Sequence, residues 1–591
     1  MKHQNTVSKS LLYVSLLAFI SFVVYILYIN QEVFYTAHDR SEFIFGAPFF
    51  HTLTSKPFGL MQYVGAWLTQ FFYYPVLGSG LLVVIWALIF FVGVKAFRLY
   101  GNTSALMLLP VACLLTSVVD LGYWVYVSKI RGYWFSQSVG YLIMLLLLWG
   151  ARCTPRKWHL IWYLTAVCLY PVLGWFAMLF VLCLVLTEKV TWRELLGLAL
   201  LVFTSSIWHR LLYSNQNFDD VVLAGLPQFV SSLDKTERLT LPFWILAFVS
   251  IFIPLCGRFL SKWFVPVLCS VACISFTSSL MYHDKNYIEE MRMVHYAFDD
   301  NWKEVLNLAE ENKKPTTTMV FLKNIALMNE GGLLERSFKL VNDGVKLNKS
   351  DSLYVSLLSI ASPLVYYNYG MMNEAIRLSY ENAIQTGFSP FYMKMLSRCA
   401  SAKGEEKVVE RYTALLHHHP FYGDWKAAPV TENVNELQKC YPDELTGVEN
   451  SDSYIVNSIS YWYQSNSKLA SEQALFFSML RRDPTCFWPS LRKYLNLHQN
   501  ETFLPHAQEA YILFFDRAPE KKRMMIPVEQ SIYERYVKFN DELKQRVKPG
   551  TTLGAIGEEM REEWGDTYWW YYFFGRTVYM KRNIVDNEIA S

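Results

Sequence analysis

Residues 11–29 read LLYVSLLAFISFVVYILYI, nineteen residues without a charge. A helix of that length rises about 28 Å. The hydrocarbon core of a bilayer is about 30 Å thick, so about 20 apolar residues make one crossing. Eight further apolar runs follow, at 76–97, 103–120, 133–151, 157–171, 173–187, 194–213, 241–256 and 263–281. The fifth and sixth form one stretch interrupted by Tyr170-Pro171 and Gly174. That stretch is too long for one span and short for two; proline removes a helix donor and glycine tolerates a turn, so a turn between two spans is expected there, the alternative being a single broken helix that would reverse the orientation of everything downstream. The resulting expectation is an all-α chain: a polytopic transmembrane helical domain of about nine spans over residues 1–281, then a water-soluble helical half.

The bulk numbers agree with a mixed chain. The 591 residues carry 54 Lys and Arg against 51 Asp and Glu, a formal net charge of +3. That balance offers no electrostatic footprint for a nucleic-acid partner. The mean hydropathy of +0.16 averages an apolar first half with a second half of ordinary soluble charge density. Lys and Arg collect in cytoplasmic loops. Here Lys2 and Lys9 precede the first run, Lys95 and Arg98 follow the second, and Arg152, Arg156 and Lys157 follow the fourth. Lys189 and Arg193 follow the sixth, and Arg258 and Lys262 follow the eighth. The opposite loops hold Asp219, Asp220, Asp234 and Glu237. Nine crossings put every basic loop on one side. The expected setting is a bacterial inner membrane with a cytoplasmic N-terminus and a periplasmic C-terminal domain. Residues 28–32, Tyr-Ile-Asn-Gln-Glu, lack a small-x-small cleavage pattern, so the first span is expected to be retained.

Residues 30–75 form a long first exoplasmic loop. It contains Tyr35-Thr36-Ala37-His38-Asp39-Arg40-Ser41-Glu42-Phe43 and an aromatic-rich stretch from Gly59 to Tyr74. The latter fits a helix lying along the membrane surface, with Trp67, Tyr73 and Tyr74 suited to the interface. With an acidic residue soon after span one, the region resembles the GT-C superfamily of membrane glycosyltransferases. That resemblance implies a transferase acting at the exoplasmic face on a polyprenyl-phosphate sugar donor, with Asp39, or alternatively Glu42, as its carboxylate. Such a group serves as general base on an acceptor hydroxyl or helps hold a divalent metal. Arginine suits a lipid phosphate because its planar fork matches phosphate oxygens. The donor-binding candidates are Lys129, Arg131, His209 and Arg210. The bland alternatives are a solvated turn for Asp39–Glu42 and a span-end arginine snorkelling to the headgroups for Arg210.

Beyond residue 281 helical periodicity dominates. Gly370-Met371-Met372-Asn373-Glu374-Ala375-Ile376 resembles the turn and second helix of a tetratricopeptide (TPR) repeat, and Gly404-Glu405-Glu406-Lys407-Val408-Val409 follows 34 residues later. Asn466 and Asn500 are again 34 apart. Stacked hairpins of this kind bury a face that none buries alone, and present a concave surface to a peptide or protein. The expected divisions are TPR-like repeats at 282–420, an irregular connection at 421–452, and further repeats with an aromatic-rich last helix at 453–591. His417-His418-His419 point in different directions on a helix and make a poor metal cage, so no metal site is expected from them. Tyr568 to Phe574, YWWYYFF, packs onto the solenoid or rests on the membrane with Arg576, Lys581 and Arg582. Cys399, Cys440 and Cys486, far apart in sequence, allow at most one disulfide among themselves.

The chain as a whole also resembles a family of large Gram-negative membrane proteins with TPR-containing C-terminal halves, a resemblance that implies no particular activity. No nucleotide-binding loop, zinc-protease helix or serine-hydrolase elbow is present in the sequence. Two functions remain: a GT-C-like transferase using a lipid-linked sugar, or a non-enzymatic membrane scaffold whose solenoid recruits envelope proteins. A transporter ranks third, because no inverted repeat is visible and few charges fall within spans. Membrane lipids are a partner on every reading.

Overall fold

A computed structural model describes residues 2–127, 132–187, 191–227, 237–256, 262–342, 344, 357–441, 462, 464–499, 501–517, 525–548 and 552–575. Among the described residues the fold is all-helical, with no strand. The chain divides into two compact units. The first comprises Met1–Asp284 with Asn382–Met393 and Thr413–Trp425; the second comprises Lys285–Glu381, Lys394–Tyr412 and Lys426–Ser591.

In the first unit the helices are α1 (Lys2–Ile29), α2 (Gln31–Asp39), α3 (Ala47–Thr54), α4 (Gly59–Thr69), α5 (Pro75–Ala96), α6 (Leu108–Val119) and α7 (Trp124–Val127). They continue with α8 (Tyr133–Cys153), α9 (His159–Leu173), α10 (Trp175–Thr187), α11 (Trp192–Leu211), α12 (Phe218–Val222), α13 (Glu237–Cys256) and α14 (Val265–Leu280). Among the described residues four segments are long and apolar enough to cross a membrane, Lys9–Ile29, Pro75–Ala96, Gly101–Val119 and Tyr133–Cys153, and Val265–Leu280 with Lys285–Phe298, bent by 67° at their junction, make a fifth if that pair is one span. Shorter apolar helices run over Trp175–Thr187 and Leu239–Leu255. The long apolar stretch breaks at Gly174, whose φ of +55° separates α9 from α10. A left-handed backbone there suits glycine, which has no Cβ to clash.

Helix α8 packs against α4, α5 and α10. Its N-terminus lies against α4 at Gly132 and Gly65: a Cβ on Gly65 would sit 2.4 Å from the Gly132 carbonyl oxygen. Small residues that let backbones approach are a usual device where lipid removes the hydrophobic drive between helices. Polar side chains tie the same bundle together. Trp86 donates to Ser138 at 3.1 Å, Tyr141 and Ser250 share a 2.9 Å bond, and Thr116 meets Thr277 at 3.1 Å. Outward, Val84, Leu88 and Phe91 on α5, Val202 and Phe203 on α11, and Phe248 on α13 are exposed. Apolar faces this extensive suit lipid better than water.

The second unit is a succession of helices. Lys285–Phe298, Trp302–Glu311 and Thr317–Glu330 open it, and Lys468–Arg481, Pro484–Leu497, Pro505–Arg517, Gln530–Arg546, Leu553–Trp564 and Tyr568–Phe574 close it. Gly370 and Gly404 both hold a left-handed backbone, at φ +78° and +73°, in turns before Met372–Thr386 and Glu406–His417. The aromatic run Tyr568–Phe573 is buried. Tyr568 and Tyr571 donate to the carbonyls of Met479 and Leu480 at 3.0 and 3.2 Å, and the Trp569 indole donates to the Glu509 carbonyl at 2.9 Å. Arg482, itself at φ +56°, donates to the carbonyls of Tyr572 at 2.8 Å and Gly575 at 2.7 Å, closing the end of that helix. Cys399, Cys440 and Cys486 are free thiols. Of the segment expected to be irregular, residues 421–441 are described and include the Thr431-capped helix Glu432–Gln438; residues 442–452 lie outside the described residues, as do Arg576, Lys581 and Arg582.

Candidate functional site

The acidic stretch of the first loop begins on α2, an amphipathic helix that buries Val33, Phe34 and Ala37. Phe34 stacks on Phe72 at 4.7 Å and meets Trp134 edge-on at 5.7 Å. That anchor carries the end of α2 inward. His38 is fully buried and Asp39 is only 8% exposed.

Residues far along the chain then close over it. Tyr422 stacks on the His38 ring, with centroids 5.8 Å apart and planes 12° from parallel, and its hydroxyl lies 3.1 Å from His38 Nε2. His419 and Tyr73 each meet that ring edge-on at 5.6 Å. The Arg40 guanidinium sits 3.5 Å above the Phe391 ring and donates to the Tyr392 hydroxyl at 3.0 Å. Glu42 lies against Gly387, where a Cβ would come within 2.6 Å of a carboxylate oxygen. Gly387 has φ +108°, so its lack of a side chain serves both the turn and the close approach. The Phe45 amide donates to the His418 carbonyl at 3.1 Å. Phe421, held at φ +69°, stacks on Tyr73 at 5.4 Å.

His38, Arg40 and Glu42 thus lie in a packed joint between the first loop and the segments Asn382–Met393 and Thr413–Trp425, all within the first unit, and Asp39 is buried between the first two. His209 and Arg210 lie elsewhere, at the end of α11. His209 contacts the Gln216 carbonyl at 3.1 Å and the Phe218 ring at 5.5 Å. Arg210 is exposed and forms no hydrogen bond or ion pair among the described residues. Neither contacts Asp39 or Glu42. Lys129 and Arg131 lie outside the described residues. Among the described residues no group of three or more His, Cys, Asp or Glu is placed to hold a metal. In the histidine triplet, His417 reaches the Trp425 carbonyl at 3.1 Å, His418 is exposed and His419 is buried against His38.

The residues that sequence reasoning did not single out are His38, Arg40, Gly387, Phe391, Tyr392 and Tyr422. The one available signal was the conjunction of His38-Asp39-Arg40 with aromatic pairs at 391–392 and 421–422, which no local pattern links. A model of a family described as "Family of unknown function (DUF6057)" matches residues 6–575. No curated protein and no solved structure matches the chain.

Proposed function

We propose, for a chain that belongs to the DUF6057 family, the function of a non-enzymatic membrane scaffold whose helical second unit recruits envelope proteins. The observation that carries this reading is the joint around His38–Glu42, in which Arg40 and Glu42 are engaged in packing and Asp39 is buried between His38 and Arg40. Arg40 is committed to Phe391 and Tyr392, and Glu42 is wedged against Gly387. A carboxylate serving as a general base needs an approach for its acceptor.

On this reading the first unit crosses the inner membrane nine times. Four crossings are the long apolar segments, and α9, α10, α11, α13 and α14 supply the remainder, each coinciding with an apolar run of the sequence. The basic loops set the N-terminus in the cytoplasm and the second unit in the periplasm. The second unit is a TPR-like solenoid that takes a protein or peptide partner. Its support is the pair of left-handed turn glycines 34 residues apart, Gly370 and Gly404, each leading into a helix.

A second reading, the GT-C-like transferase with a polyprenyl-phosphate sugar donor, has one observation in its favour: Asp39 is buried beside His38 in the first long loop. The substitutions Asp39→Asn and Glu42→Gln, which keep side-chain shape while removing charge, decide between the two in a deletion strain. The scaffold reading expects both variants to restore the wild-type phenotype. Loss of function from a variant present at wild-type abundance would overturn it in favour of the transferase.

A further inference from the structure

Helix α5 has 22 residues and rises about 33 Å, so its two ends are one bilayer thickness apart. At its far end from the first loop, four loops of the first unit meet. Arg98 donates to the Arg152 carbonyl and Arg152 to the Ala96 carbonyl, both at 2.6 Å. Arg193 donates to the Arg156 carbonyl at 3.4 Å, and Asn102 to the Lys262 carbonyl at 3.4 Å. These bonds bring residues 95–103, 152–160, 191–195 and 262–265 to one end of the bundle.

The chemistry of that end is one-sided. Within those four segments the only acid is Glu194, and it is fully buried. It is occupied by Arg156 at 3.2 Å and by the Thr191 amide at 3.0 Å, the latter capping α11. Lys157, Arg193 and Lys262 have no carboxylate within ion-pair distance among the described residues. Large aromatic rings stand exposed between them: Trp158 is 47% exposed, Trp192 63% and Trp263 62%. Each cation leans on its neighbouring ring, Lys157 on Trp158 at 5.9 Å, Arg193 on Trp192 at 5.5 Å and Lys262 on Phe264 at 5.9 Å. An indole prefers the headgroup level, apolar on one side and wet on the other. Cations held at that level with no carboxylate partner among the described residues meet the phosphates of an anionic leaflet.

We propose that this end of the first unit is a binding surface for anionic phospholipid, with Lys157, Arg193 and Lys262 contacting headgroup phosphates and Trp158, Trp192 and Trp263 seated at the acyl–headgroup boundary. The inference rests on the membrane placement of the first unit and not on the scaffold function, and its test reads lipid selectivity alone. Each cation near an anionic surface adds about five-fold to partition.

The full-length protein in phosphatidylcholine-supplemented micelles is titrated with phosphatidylglycerol, and retained lipids are counted by native mass spectrometry. The expected result is selective retention of phosphatidylglycerol, falling by about ten-fold or more in Lys157→Gln/Arg193→Gln/Lys262→Gln. Lys303→Gln/Lys407→Gln, in the second unit, is expected to behave as wild type. If the triple variant loses its fold, the exposed pair Lys157→Gln/Lys262→Gln carries the same test. Equal retention of the two lipids by the wild-type protein, or selectivity unchanged in the folded variant, overturns the proposal.

Discussion

Arg40 offers the most direct measurement of the joint around the first loop. Its guanidinium lies 3.5 Å over Phe391 and donates to the Tyr392 hydroxyl at 3.0 Å. A partly desolvated cation–π contact contributes about 0.5–2 kcal/mol, and a hydrogen bond from a charged donor about 1.5–3 kcal/mol. Because Arg40 is half-buried, solvent reduces both, and Arg40→Ala is expected to cost about 2–3 kcal/mol. The assay is reversible unfolding of the full-length protein in mixed detergent micelles, run as a double-mutant cycle with Phe391→Leu. The cycle isolates the pair, and a coupling of about 1 kcal/mol is expected. Arg40→Lys is expected to recover little, since an ammonium neither stacks flat on Phe391 nor reaches Tyr392 with a planar fork. A coupling below about 0.3 kcal/mol, within the scatter of additive sites, would refute the claim that this arginine fastens residues 382–393 to the first loop.

Three further outcomes follow from other contacts. Gly132→Ala would place a Cβ 2.0 Å from the Gly65 backbone at a φ of +67°; strain and overpacking together are expected to cost about 3 kcal/mol or more, seen as lost expression of folded protein. Arg482→Met removes both bonds to the Tyr572 and Gly575 carbonyls; a loss of about 3 kcal/mol is expected, with proteolysis opening first at the run from Tyr568 to Phe574. In the second unit, burial disfavours the charged ring of His498, but the Glu472 hydrogen bond, the Tyr494 carbonyl and the charges of Glu472 and Glu501 outweigh it and raise its pKa above the ordinary 6.5. A raised folded-state value means that the contribution to stability is complete below pH 6.5 and is lost as pH rises through the folded value. A thermal-unfolding series from pH 6 to 9 is therefore expected to slope downward, and His498→Gln to flatten it; an unchanged slope would remove His498 from the explanation.

Hydropathy made the long helices legible because it is a local property. The runs 11–29, 76–97, 103–120 and 133–151 fall within two residues of the edges of Lys9–Ile29, Pro75–Ala96, Gly101–Val119 and Tyr133–Cys153. The break near Pro171 and Gly174 was legible for the same reason: one residue's backbone freedom marks it. What the chain does not advertise locally is pairing at a distance. Arg40 and Tyr392 are 352 residues apart, and His38 and Tyr422 are 384 apart. Residues 382–393 and 413–425 carry no apolar run that assigns them to the first unit. They belong there through Phe391, Tyr392, Phe421 and Tyr422, aromatic residues that in the linear sequence look like ordinary core of a soluble helix.

That distance effect changes what an acidic loop means. In the sequence, Asp39-Arg40-Ser41-Glu42 is a charged turn after a span, and charge at a membrane surface invites a catalytic reading. In three dimensions this turn meets residues from two distant places in the chain. Arg40 finds π-faces, Glu42 finds the only residue type small enough to admit it, and the neighbouring His38 is enclosed by Tyr73, His419 and Tyr422. Charges taken out of water in this way require partners of fixed geometry. Chemistry would require one of them to face an open approach as well. Asp39 is the residue on which the two demands conflict most sharply, because it is buried between His38 and Arg40 and carries the group a transferase would need. Neutral substitution there separates the roles: a structural residue tolerates Asn if its shape is what matters, whereas a base does not.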